Sequence, residues 1–386
     1  METTEKIFYS NPYQQRINAK IIAVKETHDG VAYAFDRTIF YPGGGGQLSD
    51  SGEISGIKVR EVFEENGLIY HLTEKPIHCN PCTLSIDWER RYRFMKMHTG
   101  QHLLSALLEK IYGWKTLSST IQEDHVSIEL STPRISWEEI TCAELEAFKL
   151  ITNNLQVKTY WLNKEEARKL PLRKLVDVGE TVRVIEIDGF DYSLCKGTHV
   201  NRTSEIGILS VYFTDKVRGN ARIYFKAGEL ALAYFQETRN KIKEIVSTFA
   251  FEEEILQDRL SGIVEDRKRL RKKLQKMEKF FSEEKLKELM SGNDPIIYEE
   301  LDFENDKTIK HIANALLKNG RSAVLYSVNT GKVFLSLASY EIEKSLMDFI
   351  KSLNLKGGGK NGYYEFYIKD KQDKLKSWVM KQKKES

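Results

Sequence analysis

From Ile242 to Phe281, positions 242, 246, 249, 253, 256, 260, 263, 267, 270, 274, 277 and 281 follow one another at alternating spacings of four and three, and ten of the twelve are apolar. A run of that period predicts a helix with one apolar seam, which cannot bury itself and needs a second helix against it. Glu253 and Arg267 interrupt the seam, each seven residues from Leu260. Two identical helices paired antiparallel about Leu260 would set Glu253 of one against Arg267 of the other, so residues 242–281 suit a homodimer. A helix broken at Ser261-Gly262 and folded back within one chain satisfies the same pattern, since an interior Gly costs a helix about 1 kcal/mol. Gly292-Asn293-Asp294-Pro295 ends the run.

The seam divides 386 residues into parts that can each bury a core, as 41% apolar and 30% charged residues with only 7 Pro allow. Residues 1–88 carry short segments (19–24, 31–36, 53–54, 57–61, 68–72, 83–88) separated by turn residues, the pattern of a small β-barrel. At Trp88 the period changes, and Phe94, Met97, Leu104, Leu107 and Leu108 predict a long helix over 90–110 that stops before Gly113. Residues 89–230 continue as an α+β domain, 231–292 as the helical coiled-coil segment, and 293–386 as a compact α/β domain. The expected fold class is an α+β multidomain chain. Met1 to Lys6 is polar and acidic where a leader would be basic then apolar, and no run of about 20 apolar residues occurs, so a cytoplasmic protein with no membrane partner is expected. Four cysteines are too few for a disulfide framework and are expected to be buried thiols or metal ligands.

His98-Thr99-Gly100-Gln101-His102 sets two imidazoles four apart on one face of the predicted helix, where they could share a zinc ion. Zinc proteases with that spacing carry Glu beside the first His as general base. Thr99 stands there, so that reading loses its base. Ninety-three residues beyond His102, Cys195-Lys196-Gly197-Thr198-His199 offers a thiolate and an imidazole about a glycine, a span short enough to turn both toward one point. A competing pair, Cys79-Asn80-Pro81-Cys82, is separated from His98 by fifteen residues, within the spacing range of a Cys2His2 finger. Against the finger, the helix over 90–110 is long and carries much of its apolar surface beyond the histidines.

Phe40-Tyr41-Pro42 runs into Gly43-Gly44-Gly45-Gly46-Gln47, a loop whose backbone can approach a ligand closely. It is neither a P-loop nor a dinucleotide fingerprint. Gly357-Gly358-Gly359-Lys360 also fails the P-loop test and reads either as a linker or as a backbone anion nest. Whole-chain charge is nearly balanced, but residues 351–386 hold ten Lys against four acids, a net of +6, which suits a solvated tail or a nucleic-acid contact equally.

In order along the chain, T-x-F-Y-P-x-G-G-G-Q (38–47), I-D-W-E-R-R (86–91), H-T-G-Q-H-L-L-S (98–105), the segment 182–190 and C-x-G-T-H-V (195–200) resemble the free-standing alanyl-tRNA editing proteins, themselves similar to the editing domain of alanyl-tRNA synthetase. The resemblance covers residues 1 to about 230, and residues 231–386 are similar in layout to that synthetase's C-terminal domain, the long form of the family. It implies an aminoacyl-tRNA deacylase that hydrolyses the ester between serine or glycine and alanine tRNA. It implies one zinc ion per chain held by His98, His102, Cys195 and His199. It also implies that Thr38 recognises the serine hydroxyl, and that Gly44, Gly45, Gly46 and Gln47 line the pocket. Lys196 departs from the glycine usual in the synthetases and adds a cation beside an RNA terminus. An aminoacyl ester is already activated, so water activated at zinc could suffice without a covalent nucleophile. Four protein ligands close a tetrahedral site, however, so either one is displaced or the metal positions substrate while another group activates water. The alternative class is a non-catalytic RNA-binding protein with a structural zinc, favoured if Cys79 and Cys82 hold the metal.

Overall fold

The computed structural model describes residues 3–174, 181–249, 252–368 and 371–385, which fall into two compact units, Met1–Ile245 and Val246–Ser386. The first unit begins with β1 (Arg16–Ala19), β2 (Ile21–Thr27), β3 (Gly30–Phe35), β4 (Gly52–Ile54), β5 (Ile57–Glu65), β6 (Leu68–Thr73) and β7 (Cys82–Ile86). They form one antiparallel sheet in the order β1-β7-β4-β5-β6-β3-β2. The expected barrel is not closed. β1 and β2 are the two end strands, consecutive in the chain and without a ladder between them. The backbone that could continue the ladder is engaged elsewhere: the Lys20 amide donates to Asp36 Oδ1 at 2.8 Å and the Ile21 amide to Asn80 Oδ1 at 3.2 Å. Phe8, Phe35, Ile39, Phe40, Ile54, Ile69 and Leu84 fill the inner face.

The helix α1 (Trp88–Tyr112) starts where the Asp87 side chain accepts the Arg90 amide and stops at Gly113, whose φ of 73° caps it in the left-handed region. From Met97 to Leu108 every residue is buried, so this stretch of α1 has no solvent face, while Glu89, Lys110 and Ile111 at its ends are exposed. It packs against α2 (Trp137–Thr152), which is opened by a Ser136/Glu139 capping box, and against a four-stranded sheet. That sheet contains β8 (Thr116–Ile121), β9 (Val126–Leu130), β13 (Leu209–Val217) and β14 (Asn220–Ala227), in the order β8-β9-β14-β13. A three-stranded sheet, β10 (Val157–Asn163), β11 (Thr181–Ile187) and β12 (Asp191–Leu194), leads into the Cys195 loop. The N-terminal sheet is tied to α1 by Arg91, 1% exposed. Arg91 Nε donates to Asp50 Oδ1 at 2.9 Å and its Nη2 to the Ile39 carbonyl at 2.7 Å, while Asp50 Oδ2 accepts the Tyr41 amide at 2.6 Å. The glycine-rich loop thus hangs from a buried ion pair rooted in the first turns of α1.

The predicted continuous seam is interrupted. Helix α3 (Glu229–Phe249) ends before a single 3-10 turn at Glu253–Ile255, and α4 (Leu256–Ser291) then runs through Ser261-Gly262 without a break. Glu252-Glu253-Glu254 suit the positive end of a helix better than its middle, which accounts for a restart there and not at the glycine. The Glu253 side chain, half of the pairing expected with Arg267, lies outside the described residues. Along α4, Leu260, Ile263, Leu270, Leu274, Met277 and Phe281 are exposed.

In the second unit, β15 (Ile297–Leu301), β16 (Ala323–Ser327), β17 (Lys332–Ser336), β18 (Lys356–Lys360) and β19 (Tyr363–Tyr367) form a sheet in the order β15-β16-β17-β19-β18, with α5 (Asp306–Lys318) and α6 (Tyr340–Ser352) supplying further elements. Two expectations change here. Gly357-Gly358-Gly359 is neither a linker nor a nest but the middle of edge strand β18, paired with β19. A Cβ at Gly357 or Gly359 would lie 2.1 Å from a carbonyl of that partner, so glycine permits the close pairing. The basic end is not a loose tail: residues 372–385 form α7 (Gln372–Glu385), anchored by buried Leu375 and Val379.

Candidate metal centre

His98, His102, Cys195 and His199 converge, and their ligand atoms all lie within 4.8 Å of one another. Cys195 Sγ is 3.3 Å from His98 Nε2 and 3.2 Å from His199 Nε2. The three histidines are 3 to 4% exposed. Helical spacing puts the first pair on one face of α1, and the turn after β12 brings the second pair to it. The turn is possible because Gly197 has no side chain: a Cβ there would stand 2.1 Å from His98 Cε1.

Outer partners set each ring. His98 Nδ1 donates to Gln47 Oε1 at 2.8 Å, which leaves Nε2 with a free lone pair toward the cluster. The Thr99 hydroxyl donates to the Met95 carbonyl at 2.9 Å, so its oxygen accepts from His199 Nδ1 at 3.2 Å and fixes the same tautomer there. His102 Nδ1 is buried without a hydrogen-bond partner and faces Asp191 Oδ2 at 3.6 Å, an ion-pair distance. Asp191 is also held by Arg173. Burial acts to raise the Cys195 thiol, but the facing imidazoles of His98, His199 and His102 bring it well below the usual thiol range. Burial and the neighbouring His98 push His199 well below the ordinary imidazole value, toward the neutral ligand form. Three inward-facing imidazoles and a thiolate, with outer hydrogen-bond acceptors behind His98 and His199, fit a tetrahedral divalent ion of the zinc type.

The cluster opens on a cavity of about 1160 Å³, lined among others by Gly45, His98, His102, Arg183, Cys195 and Lys196. Gly45 and Lys196 both stand at its wall. Gln47 is not at the wall. It is 3% exposed, and its side chain joins the two ligand pairs: Oε1 also accepts the Thr198 amide at 3.0 Å, and Nε2 donates to Thr198 Oγ1 at 2.9 Å. Gln47 thus bridges His98 on α1 and Thr198 in the Cys195 loop. Gly44 closes a tight turn with Gln47, and Gly46 lies against the Ser119 carbonyl, to which a Cβ would come within 2.7 Å.

Thr38 does not line the cavity. It is wholly buried; its hydroxyl accepts the Phe40 amide at 3.1 Å and donates to His71 Nε2 at 2.8 Å, His71 Nδ1 being engaged by the Tyr33 carbonyl at 3.1 Å. In this geometry Thr38 is not placed to read a substrate hydroxyl. Cys79 and Cys82 do not join the cluster either. Their sulfurs lie 2.7 Å from each other, and the four-ligand group found among the described residues excludes them, which overturns the finger. Sequence reasoning missed Thr99 and Asp191 as outer partners, and Arg183, whose Nη1 donates to the carbonyls of Cys195 at 2.9 Å and Gly197 at 2.7 Å. Thr99 had a signal, its place between the two helix ligands. Arg183 had none, because it meets the ligand loop only through β11.

Residues 182–224 match the family described as the threonyl and alanyl tRNA synthetase second additional domain. The chain is 33% identical to the alanyl-tRNA editing protein AlaX-L of Pyrococcus horikoshii, over 93% of this chain and 92% of that protein. It is 27% identical to an alanine–tRNA ligase of Ignicoccus hospitalis and 31% identical to one of Thermococcus kodakarensis, over 92% and 84% of this chain. The chain spans about two fifths of those ligases, 40% and 37% of their lengths.

Proposed function

Since the chain belongs to the alanyl-tRNA editing family, we propose that it is a trans-acting deacylase that hydrolyses the ester joining serine or glycine to the 3′ end of alanine tRNA, using one zinc ion per chain. The observation that carries this reading is the convergence of two chelating pairs, 93 residues apart, beside a cavity lined by six Lys and Arg side chains against Glu64 and Glu109. Zinc held by His98, His102, Cys195 and His199 would supply positive charge at the reacting ester, stabilising charge that develops on its oxygen.

The chain's own residues do the rest. Gln47 and Thr99 hold the His98 and His199 rings in one tautomer, so ligand geometry is set before substrate arrives. Arg183 clamps the Cys195–Gly197 backbone. Lys196 presents a cation at the cavity wall, where an RNA end carries phosphate. Hydrolysis adds water across the ester and releases the amino acid and a free tRNA 3′ hydroxyl. Alanine is smaller than serine and cannot be excluded by size, so rejection of the correct ester requires polar groups that go unpaired when the hydroxyl is missing. The second unit, with its basic helix α7, serves as a contact for the tRNA body, and the exposed face of α4 as the contact for a second chain. No helix among the described residues is long and apolar enough to cross a membrane.

The test is deacylation of serine-charged alanine tRNA by zinc-loaded protein, by chelator-treated protein and after zinc is restored. Loss and recovery of hydrolysis support the proposal. Tight tRNA binding by the zinc-loaded protein with no release of serine would replace it with the non-catalytic RNA-binding reading.

A further inference from the structure

We propose, resting on the editing reading above, that Trp161 and Tyr9 form a stacking platform for the base of the tRNA's terminal nucleoside. Both line the cavity that is also lined by His98, His102 and Cys195. Trp161 sits on β10, an end strand of its sheet, and is 55% exposed, so packing does not account for so large an apolar ring there. Its ring stands edge-to-face on Tyr9, with centroids 5.5 Å apart and planes at 73°. That arrangement fixes the indole without covering it, leaving a face free.

The platform is tied to the reacting end of the site by a short chain of contacts. Trp161 is paired across the ladder with Arg183. The Arg183 guanidinium lies over the Tyr9 ring at 4.8 Å, and its Nη1 holds the carbonyls of Cys195 and Gly197. One cation therefore fixes both the aromatic pair and the metal-ligand loop. A base stacked on Trp161 would be registered against the ligands with no mobile element between. Lys115, Lys174 and Lys196 line the same cavity and match a sugar-phosphate carried away from the base. An aromatic face beside cations is the chemistry of a single-stranded nucleic-acid end; a free amino acid would need neither.

Two probes separate the base from the rest of the substrate: the serine amide of 3′-amino-3′-deoxyadenosine, which resists hydrolysis, and the same amide on a sugar that lacks the base. Binding to zinc-loaded protein is followed by calorimetry. Trp161→Ala should weaken the adenosine probe by roughly five- to a hundredfold, leave the base-less probe unchanged, and be largely rescued by Trp161→Phe, since base–aromatic stacking has that range. In deacylation, Trp161→Ala should raise KM more than it lowers kcat, with an unchanged melting temperature. Equal losses for both probes, or wild-type affinity for the adenosine probe in Trp161→Ala, would overturn the platform. If the wild-type protein deacylates seryl-tRNA while either of those results holds, the platform falls and the editing reading stands; if the wild type fails to deacylate, both fall.

Discussion

Gly197→Ala tests whether the ligand loop and the helix ligands share one metal. The added methyl would sit 2.1 Å from His98 Cε1, 2.3 Å from His98 Nδ1 and 2.8 Å from Gln47 Oε1. Ordinary contact begins near 3.4 Å, so ring and loop must part by about 1.3 Å. Metal–ligand distances tolerate only about 0.2 Å. The displacement therefore removes either His98 or the Cys195–His199 pair from coordination and breaks the His98–Gln47 bond. Loss of an outer partner alone costs roughly ten- to a hundredfold in metal affinity, and displacement of a ligand should exceed that. The backbone at Gly197 is not left-handed, so the effect is steric. Strain in the fold itself should stay within the roughly 1–3 kcal/mol typical of overpacking. The assay is competitive zinc titration against a calibrated chelator, with zinc content per chain measured after dialysis. Gly45→Ala is the control, because nothing stands within 4 Å of its Cβ; its φ of 60° costs about 1 kcal/mol of stability without touching a ligand. A Gly197→Ala protein that keeps one zinc per chain at wild-type affinity would refute the shared centre.

Gln47→Leu should fold, lower zinc affinity by roughly ten- to a hundredfold and lower deacylation at limiting zinc, because His98 Nδ1 and the Thr198 amide lose their common acceptor; unchanged zinc affinity would remove it from that role. Arg91→Met leaves Asp50 buried and unpaired, and urea unfolding should show a loss of about 3–5 kcal/mol; a change under 1 kcal/mol would count against the ion pair as the anchor. Burial holds His71 down to about 4, against 6.5 in the unfolded chain. Below pH 6.5 the unfolded state takes up a proton that the folded state refuses, so stability should fall between pH 6.5 and 4 by up to about 3 kcal/mol and be fully present above pH 6.5. His71→Phe, compared with wild type, should flatten that limb. Thr38→Val leaves His71 Nε2 unpaired and should cost about 1–3 kcal/mol of stability. A shifted ratio of serine to alanine ester hydrolysis without that loss would return Thr38 to the substrate.

The candidate metal centre was legible in the sequence because its signals are local. A His-x3-His spacing on a helix and a Cys-x3-His loop about a glycine each fix two ligands by backbone geometry alone. The long helix was equally plain, since its apolar positions and the stop at Gly113 lie within one segment. What joined the pairs was not legible. Gln47 is 51 residues from His98 and 151 from Thr198, and only the buried Arg91–Asp50 pair and the hydrogen-bonded glycine loop carry its amide to both. Thr38 shows the converse: a motif names a residue without saying which way its side chain points, and a two-residue period leaves its neighbours free to face the other side. The open ends of the first sheet and the restart of the helix at Leu256 were settled by side chains taking up backbone groups and by clustered carboxylates, effects a hydrophobic period does not register. The sequence determined which side chains could hold an ion and roughly where helices and strands lie. Only the tertiary structure decided which hydroxyl, amide and guanidinium stand behind them, because hydrogen-bond partners are set by packing between segments far apart in the chain.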